Sequence, residues 1–277
     1  MIPAPFEYRR AGSVEEALGL LEEGGEDAKL LAGGHSLLPL MKLRLAAPSV
    51  LVDIGRLRDL SYVRDGGEMI AIGALTRHRE VETNPIVAEH APLLAHVAGQ
   101  VGDPQVRHRG TIGGSIAHGD PASDLPAAAL ALGATFEVVG QGGAARSIPA
   151  AEFFQGFLET SLQPGEILTE IAVPKTTGAG WSFQKFNRRA QDWAIVGVAA
   201  VRNGSTGIGL VNMGSTPLRA TAVEAALAGG ASLEEAASHA AEGLDPPADL
   251  NASPEYRAHL ARVLVRRALE EASASPR

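Results

Sequence analysis

Two short segments of this chain are built alike, Ala32-Gly33-Gly34-His35-Ser36 and Thr111-Ile112-Gly113-Gly114-Ser115. Each adjoins an apolar run and couples paired glycines to small hydroxyl side chains, so each is expected to present bare backbone amides. Glycine lets the main chain approach a ligand closely and take turns that a Cβ forbids, which suits a phosphate group. One Gly-Gly pair by itself is most often a turn. Two similar ones imply a pyrophosphate held between two loops, and with it a dinucleotide.

In the first segment Gly33 and Gly34 supply amides and His35 and Ser36 add side-chain donors. The helix expected after Ser36 points its positive end at the same spot. A plain strand-to-helix turn capped by Ser36 accounts for this segment equally well. The second segment lies in the polar stretch 103–126, which runs straight into a predicted buried helix. Polar groups at a core entrance are costly unless a ligand or internal hydrogen bonds satisfy them. Asp124 suits ribose hydroxyls, as acidic residues do in other dinucleotide sites, and suits equally the N-cap before Leu125-Pro126. Arg107, His108 and Arg109 face either a phosphate or surface ion-pair partners.

The familiar alternatives are missing. No G-x-G-x-x-G follows a strand, Gly207-Ile208-Gly209 lacks its third glycine, and no G-x-x-x-x-G-K-[ST] occurs, so neither a Rossmann domain nor a P-loop is supported. The eight histidines have no metal-ligand spacing, His90 and His96 fall on a helix face assigned to solvent, and no G-x-S-x-G elbow is present. No metal site and no catalytic nucleophile are expected. With no cysteine, the chain has no disulfide, no thiolate nucleophile and no cysteine-held iron–sulfur centre. A net charge of −8 argues against a sequence-independent nucleic-acid role. The N-terminus shows no signal-peptide pattern, and the apolar run around Ala194–Val201 is too short for a bilayer, which points to the cytoplasm.

Apolar patterning predicts an α+β protein. A capping box at Ser13-Val14-Glu15-Glu16 opens a helix to Glu23, and strands follow at 28–32, 50–54 and 69–72. Helices are expected from Thr76, over 91–101 and over 126–132, then strands at 135–139 and 167–173 with a hairpin turn at Gln141–Gly143. The polar stretch Lys175–Gly180 marks a boundary between domains 1–177 and 178–277. Beyond it, strands at 181–187, 194–202 and 208–213 and helices near 220–228, 233–242 and 254–272 suggest a three-stranded antiparallel sheet with helices on one face. The tail 273–277 is expected to fray. Lys185 and Trp193 sit at and after the end of the first of these strands. They belong either to an exposed loop with one packed tryptophan, or to a cofactor site with the indole against an aromatic ring.

Taken together, the stretches AGGHSLLPLMKLR (32–44), RHRGTIGGS (107–115), AHGDPASDLP (117–126), PGEIL (164–168) and DWAIV (192–196) resemble the FAD-binding medium subunits of molybdenum hydroxylases. The likeness is strongest to carbon monoxide dehydrogenase medium chains, with the xanthine dehydrogenase flavin domain more distant. It implies a two-part FAD-binding domain of the vanillyl-alcohol-oxidase (PCMH) type followed by a smaller C-terminal domain. By position, Ala32, Gly33, Gly34, His35 and Ser36, with Thr111, Ile112, Gly113, Gly114 and Ser115, would cradle the FAD pyrophosphate. Asp124 would meet the adenosine end, Leu168 would line the flavin site, Lys185 would approach the isoalloxazine and Trp193 would cover one ring face. Val101 departs from the pattern, standing where the xanthine enzymes place an aromatic residue beside the adenine.

The resemblance further implies an electron-transfer subunit. A small partner would carry two [2Fe–2S] clusters and a large one molybdopterin, as a dimer of heterotrimers. Electrons would leave to a quinone, NAD or another acceptor, in the cytoplasm or at the inner face of its membrane. A self-contained FAD-dependent oxidoreductase of the same superfold is the alternative, and a dinucleotide-binding scaffold is a third reading.

Overall fold

The run Ala194–Val201 is apolar without alternation, the mark of a strand covered on both faces. The computed structural model, which describes residues 2–274, puts it in a sheet packed on both sides. Val196, Val198 and Ala200 enter one core, while Ala199 and Val201 enter another.

The chain begins with β1 (Glu7–Arg10), α1 (Val14–Gly24), β2 (Ala28–Leu31), α2 (Leu37–Leu43) and β3 (Val50–Asp53), which make a parallel three-stranded sheet in the order β1-β3-β2. β1 went unpredicted, because the side chains of Glu-Tyr-Arg-Arg are all exposed and show no apolar period. Next come β4 (Val63–Asp65), β5 (Met69–Gly73), α3 (His78–Thr83), α4 (Pro85–His90), α5 (Pro92–Gly99), α6 (Pro104–Arg109), α7 (Ile112–His118) and α8 (Asp124–Leu132). β6 (Thr135–Val139), β7 (Ala145–Pro149), α9 (Ala150–Phe153), the small hairpin β8 (Phe154–Gly156) and β9 (Glu159–Thr160), and β10 (Ile167–Pro174) complete the first part. An antiparallel sheet of order β4-β5-β10-β6-β7 is its centre. The hairpin turn expected at Gln141–Gly143 joins β6 to β7. The helix expected from Thr76 is divided into α3 and α4 by Pro85 at the first position of α4, and the helix expected over 91–101 is α5, which Pro92 opens.

The last part holds β11 (Gly180–Phe186), β12 (Val196–Asn203), β13 (Ser205–Val211), β14 (Leu218–Arg219), α10 (Thr221–Ala228), α11 (Leu233–Ser238) and α12 (Pro254–Ala274). The three expected strands pair as a meander, with ends displaced by one to three residues, and β14 adds a fourth. Two residues are too few to leave a period in the sequence. Of the tail, Ser273 and Ala274 close α12 rather than fray, and 275–277 lie outside the described residues.

The expectation of helices on one face only is corrected. α12 covers one face of the sheet and α8, from the first part of the chain, covers the other. Gly207 and Gly209 make this possible, because a Cβ on either would overlap the backbone carbonyl of Ala131 or Ala127. The Gly-Ile-Gly that failed as a nucleotide motif is therefore a helix-docking surface.

Candidate functional site

A cleft of about 560 Å³ opens where the parallel sheet, α7 and the β11–β12 connection meet, within the range of small-molecule and cofactor sites. Of the residues chosen from the sequence, all but Ile112 line it.

The first glycine segment leaves β2 and turns into α2. Gly34 has φ +78°, a left-handed conformation that favours glycine. Gly33 lies against the residues just before the second segment, where a Cβ would stand 2.9 Å from Gly110 Cα and overlap the Arg109 carbonyl. Among the described residues, none accepts a hydrogen bond from the amides of Gly33, Gly34, His35 or Ser36. The Ser36 hydroxyl and the His35 ring are likewise without protein hydrogen-bond partners, so Ser36 is no side-chain cap. Four amides and two side chains, all of residues that line the cleft, are thus unspent on the protein.

The second segment differs, and the expectation of bare amides there is corrected. It is the start of α7 rather than a loop. Thr111 caps the helix by accepting from Gly114 N at 3.1 Å. Ile112 N donates to Thr76 O at 3.0 Å, Gly113 N to Ala74 O at 2.9 Å and Ser115 N to Thr111 O at 3.0 Å. Its glycines serve packing. A Cβ on Gly113 would stand 2.5 Å from Ala74 Cβ and 2.6 Å from its carbonyl oxygen, and one on Gly114 would stand 2.7 Å from Thr111 Oγ1. Ile112, expected among the cofactor residues, turns its side chain into the main core. Both its side chain and its amide are spent, because the first helical position after this cap faces inward. The hydroxyls of Thr111 and Ser115 stay on the cleft, the latter 2.8 Å from Ser123 Oγ.

Strand periodicity brings Lys185 to Asp124. On β11, Ser182 and Gln184 turn toward Glu271 of α12, so Trp181, Phe183 and Lys185 turn toward the first domain. Lys185 Nζ donates to Asp124 Oδ2 at 2.6 Å and to Gln100 O at 3.1 Å, and the two side chains are only 10% and 7% exposed. Asp124 is the first residue of α8, with Ser123 as its cap residue. The expectation that Asp124 and Lys185 mark opposite ends of a dinucleotide is thus corrected, since they occupy one place. Burial pushes the Asp124 carboxyl above the ordinary carboxylate range, against the pull of Lys185. Its other oxygen, Oδ1, is buried with no hydrogen-bond partner.

Leu168 and Val101 add aliphatic walls, and Trp193 stands 61% exposed at the rim. Arg107 turns away from the cleft, pairing with Glu82 at 3.1 Å and donating to Val101 O. His96 lies on an exposed face as expected but sets its ring against Trp181 at 5.1 Å, and half-buried His90 meets Thr177 Oγ1 at 2.9 Å. The sequence reading missed His78. It lines the cleft buried, with Nδ1 unpartnered, and its pKa is pushed down to about 4 by burial, then by His35, Arg77 and Arg107. A lone histidine in Thr-Arg-His-Arg-Glu carries no signal of this. Only the fold lays its ring under Gly110, where a Cβ would stand 2.6 Å away. Among the described residues, no group of three or more metal-ligating side chains occurs, and no helix is long and apolar enough to cross a membrane.

Comparison with known proteins adds the following. Residues 4–176 match the family described as FAD binding domain in molybdopterin dehydrogenase, and residues 181–272 match the CO dehydrogenase flavoprotein C-terminal domain. The carbon monoxide dehydrogenase medium chain of Hydrogenophaga pseudoflava is 44% identical over 98% of both chains. The glyceraldehyde dehydrogenase medium chain of Sulfolobus acidocaldarius is 39% identical over 98% of this chain and 99% of that one. A solved structure of the Hydrogenophaga carbon monoxide dehydrogenase superposes with a TM-score of 0.95, covering 99% of each chain at 45% identity. This chain belongs to the family of FAD-binding medium subunits of molybdopterin-dependent dehydrogenases, and is an oxidoreductase flavoprotein.

Proposed function

We propose that the cleft holds FAD and that the chain carries electrons from the [2Fe–2S] clusters of a partner subunit, through that FAD, to an external acceptor. One observation carries the reading: the row of unspent amides at Gly33, Gly34, His35 and Ser36, all residues that line the cleft. The fold gives these four amides no protein acceptor, and clustered at the turn into α2 they are ready for an anion. The FAD pyrophosphate would lie there beside Ala32, with the Thr111 and Ser115 hydroxyls opposite.

The orphaned Asp124 Oδ1 would accept from a donor of the cofactor while Lys185 holds Oδ2. The strand that carries Lys185 leads into the loop that carries Trp193. The Asp124–Lys185 pair therefore goes with the isoalloxazine end, where Leu168 lines the site and Trp193 covers a ring face. The residues present fit the cofactor, which when bound would supply a two-electron store able to trade single electrons with iron–sulfur centres. The protein's part is to bind the pyrophosphate, keep water from the ring and fix the partner-facing edge.

With no cysteine in the chain, the clusters belong to a partner; the family resemblance makes that partner a small subunit and puts molybdopterin on a large one, as a dimer of heterotrimers in the cytoplasm. The division into domains at 177/178 goes with this reading, the second domain supplying Lys185 and Trp193. The acceptor is a quinone, NAD or another oxidant, and the large subunit selects the substrate. Purification of the complex and its absorbance spectrum test this, with about one flavin per chain expected. No flavin in the complex, and none bound after adding FAD, would sink it.

A further inference from the structure

Arg257 is the most deeply buried cation of the described residues, 0% exposed, in the first turn of α12. Two effects count against it as a stabiliser. A buried guanidinium loses its hydration, and an apolar residue of similar volume is often at least as stable. A cation in the first turn also meets the positive end of the helix dipole. Its contacts point elsewhere.

Arg257 Nη1 donates to the carbonyl of Ile195, and Nη2 forms an ion pair with Asp249 Oδ2 at 2.7 Å without hydrogen-bond alignment, while Nε has no partner among the described residues. Asp249 Oδ1 accepts from the amides of Asn251 and Ala252 at 2.8 and 3.0 Å, which shapes the turn before α12. Asn251 Oδ1 in turn accepts from Arg188 Nη1 at 3.0 Å. Ile195 N closes the neck of the β11–β12 loop by donating to Phe186 O at 2.7 Å. One network rooted in Arg257 thus grips the loop near its start, at Arg188, and at its end, at Ile195. Between these grips stand Gln191, Asp192 and Trp193, all on the cleft.

We propose that Arg257 is a positioning residue for Trp193, fixing the indole at the rim through Ile195 on one side and Asp249, Asn251 and Arg188 on the other. The proposal rests on the reading of the cleft as the flavin site for its consequence, though not for its geometry. Without the grip the loop keeps its neck bond from Ile195 N to Phe186 O, its internal Arg189–Asp192 contacts and the Asn212 Nδ2 bond to Ala194 O, none of which holds Trp193 itself. Trp193 would then sample orientations that leave the ring face uncovered.

The chain has two tryptophans, so in the full chain carrying Trp181→Phe the emission comes from Trp193 alone. Arg257→Met keeps the volume and removes the grip, and a fall in Trp193 emission anisotropy is expected with far-ultraviolet circular dichroism unchanged. Arg266→Met, on an exposed part of the same helix, is the control and leaves anisotropy as it was. Unchanged anisotropy in Arg257→Met, or an equal fall in Arg266→Met, overturns the proposal. If Arg257→Met does not fold, the surface pair Arg188→Ala and Asn251→Ala cuts the same network. A smaller fall is then expected, and no fall overturns the proposal.

In the assembled complex, flavin emission in Arg257→Met should rise toward the level of Trp193→Ala, and acceptor reduction should drop by up to about a hundredfold, as a displaced group far from the chemistry can cause. Adding Arg257→Met to Trp193→Ala should change neither further. Equal increments in both backgrounds would mark a merely structural role and overturn the proposal. A complex without flavin would fail the FAD reading alone, because the anisotropy judges Arg257 without it.

Discussion

The two glycine segments look alike in the sequence and do opposite work. The first spends none of its four amides on the protein and needs Gly34 for a left-handed turn. The second spends its amides on Thr76, Ala74 and its own cap, and needs Gly113 and Gly114 for close packing. A glycine pair therefore says only that something comes close. Whether that is a ligand or the protein's own backbone depends on what faces it. Here Gly33 of the open segment also packs against Arg109 and Gly110, the two residues that lead into the packed one.

This contrast can be broken by experiment. The largest stability effect is expected at the seam, where His78 lies under Gly110. Its folded pKa of about 4 is below its ordinary 6.5, so the unfolded chain takes up a proton first as pH falls. The stability tied to neutral His78 is complete above pH 6.5 and is lost between 6.5 and 4, about 3 kcal/mol in all. Urea unfolding of wild type and His78→Leu across that window should show the difference, and parallel losses would refute it.

Gly113→Ala should cost about 1–3 kcal/mol by overpacking against Ala74, seen as a lower urea midpoint, with FAD affinity per folded complex little changed. Thr111→Ala should cost about 1 kcal/mol through the lost cap, by the same assay. Ser36→Ala should alter stability by less than about 0.5 kcal/mol, since its hydroxyl bonds nothing in the protein. FAD titration of the complex should nonetheless show binding roughly tenfold weaker, the worth of a hydrogen bond to a charged group. If Thr111→Ala weakens FAD binding and Ser36→Ala does not, the two segments have been assigned the wrong way round.

Much of the fold was legible because its strands carry apolar runs of the right length. β10 to β13 and the buried α8 announced themselves this way. β1 did not, having no buried side chain, and β14 was too short to leave a pattern. That α8 serves both domains was hidden, because a run of buried alanines does not say what covers it. Within the site, residue types pointed to the two glycine segments and Asp124 and left Lys185 and Trp193 between an exposed loop and a cofactor site, and the family resemblance added Leu168 and gave those two their roles. Ile112 was misread since a helix start and a loop share the same letters. His78 was unreadable, because nothing local distinguishes a buried histidine from a solvated one.

By itself the sequence determined the chemistry on offer: no thiolate for a cluster, small hydroxyls beside paired glycines, and strands apolar on both sides. The tertiary structure decided how that offer is spent. It left the amides of 33–36 open while Thr76 and Ala74 took those of 112 and 113. It also joined Asp124 to Lys185 across a separation of 61 residues, which reversed their assignment to opposite ends. Hydrogen-bond partners are set by which segments the fold brings together, and a period of two along β11 had to meet the first turn of α8 before either residue's place was defined.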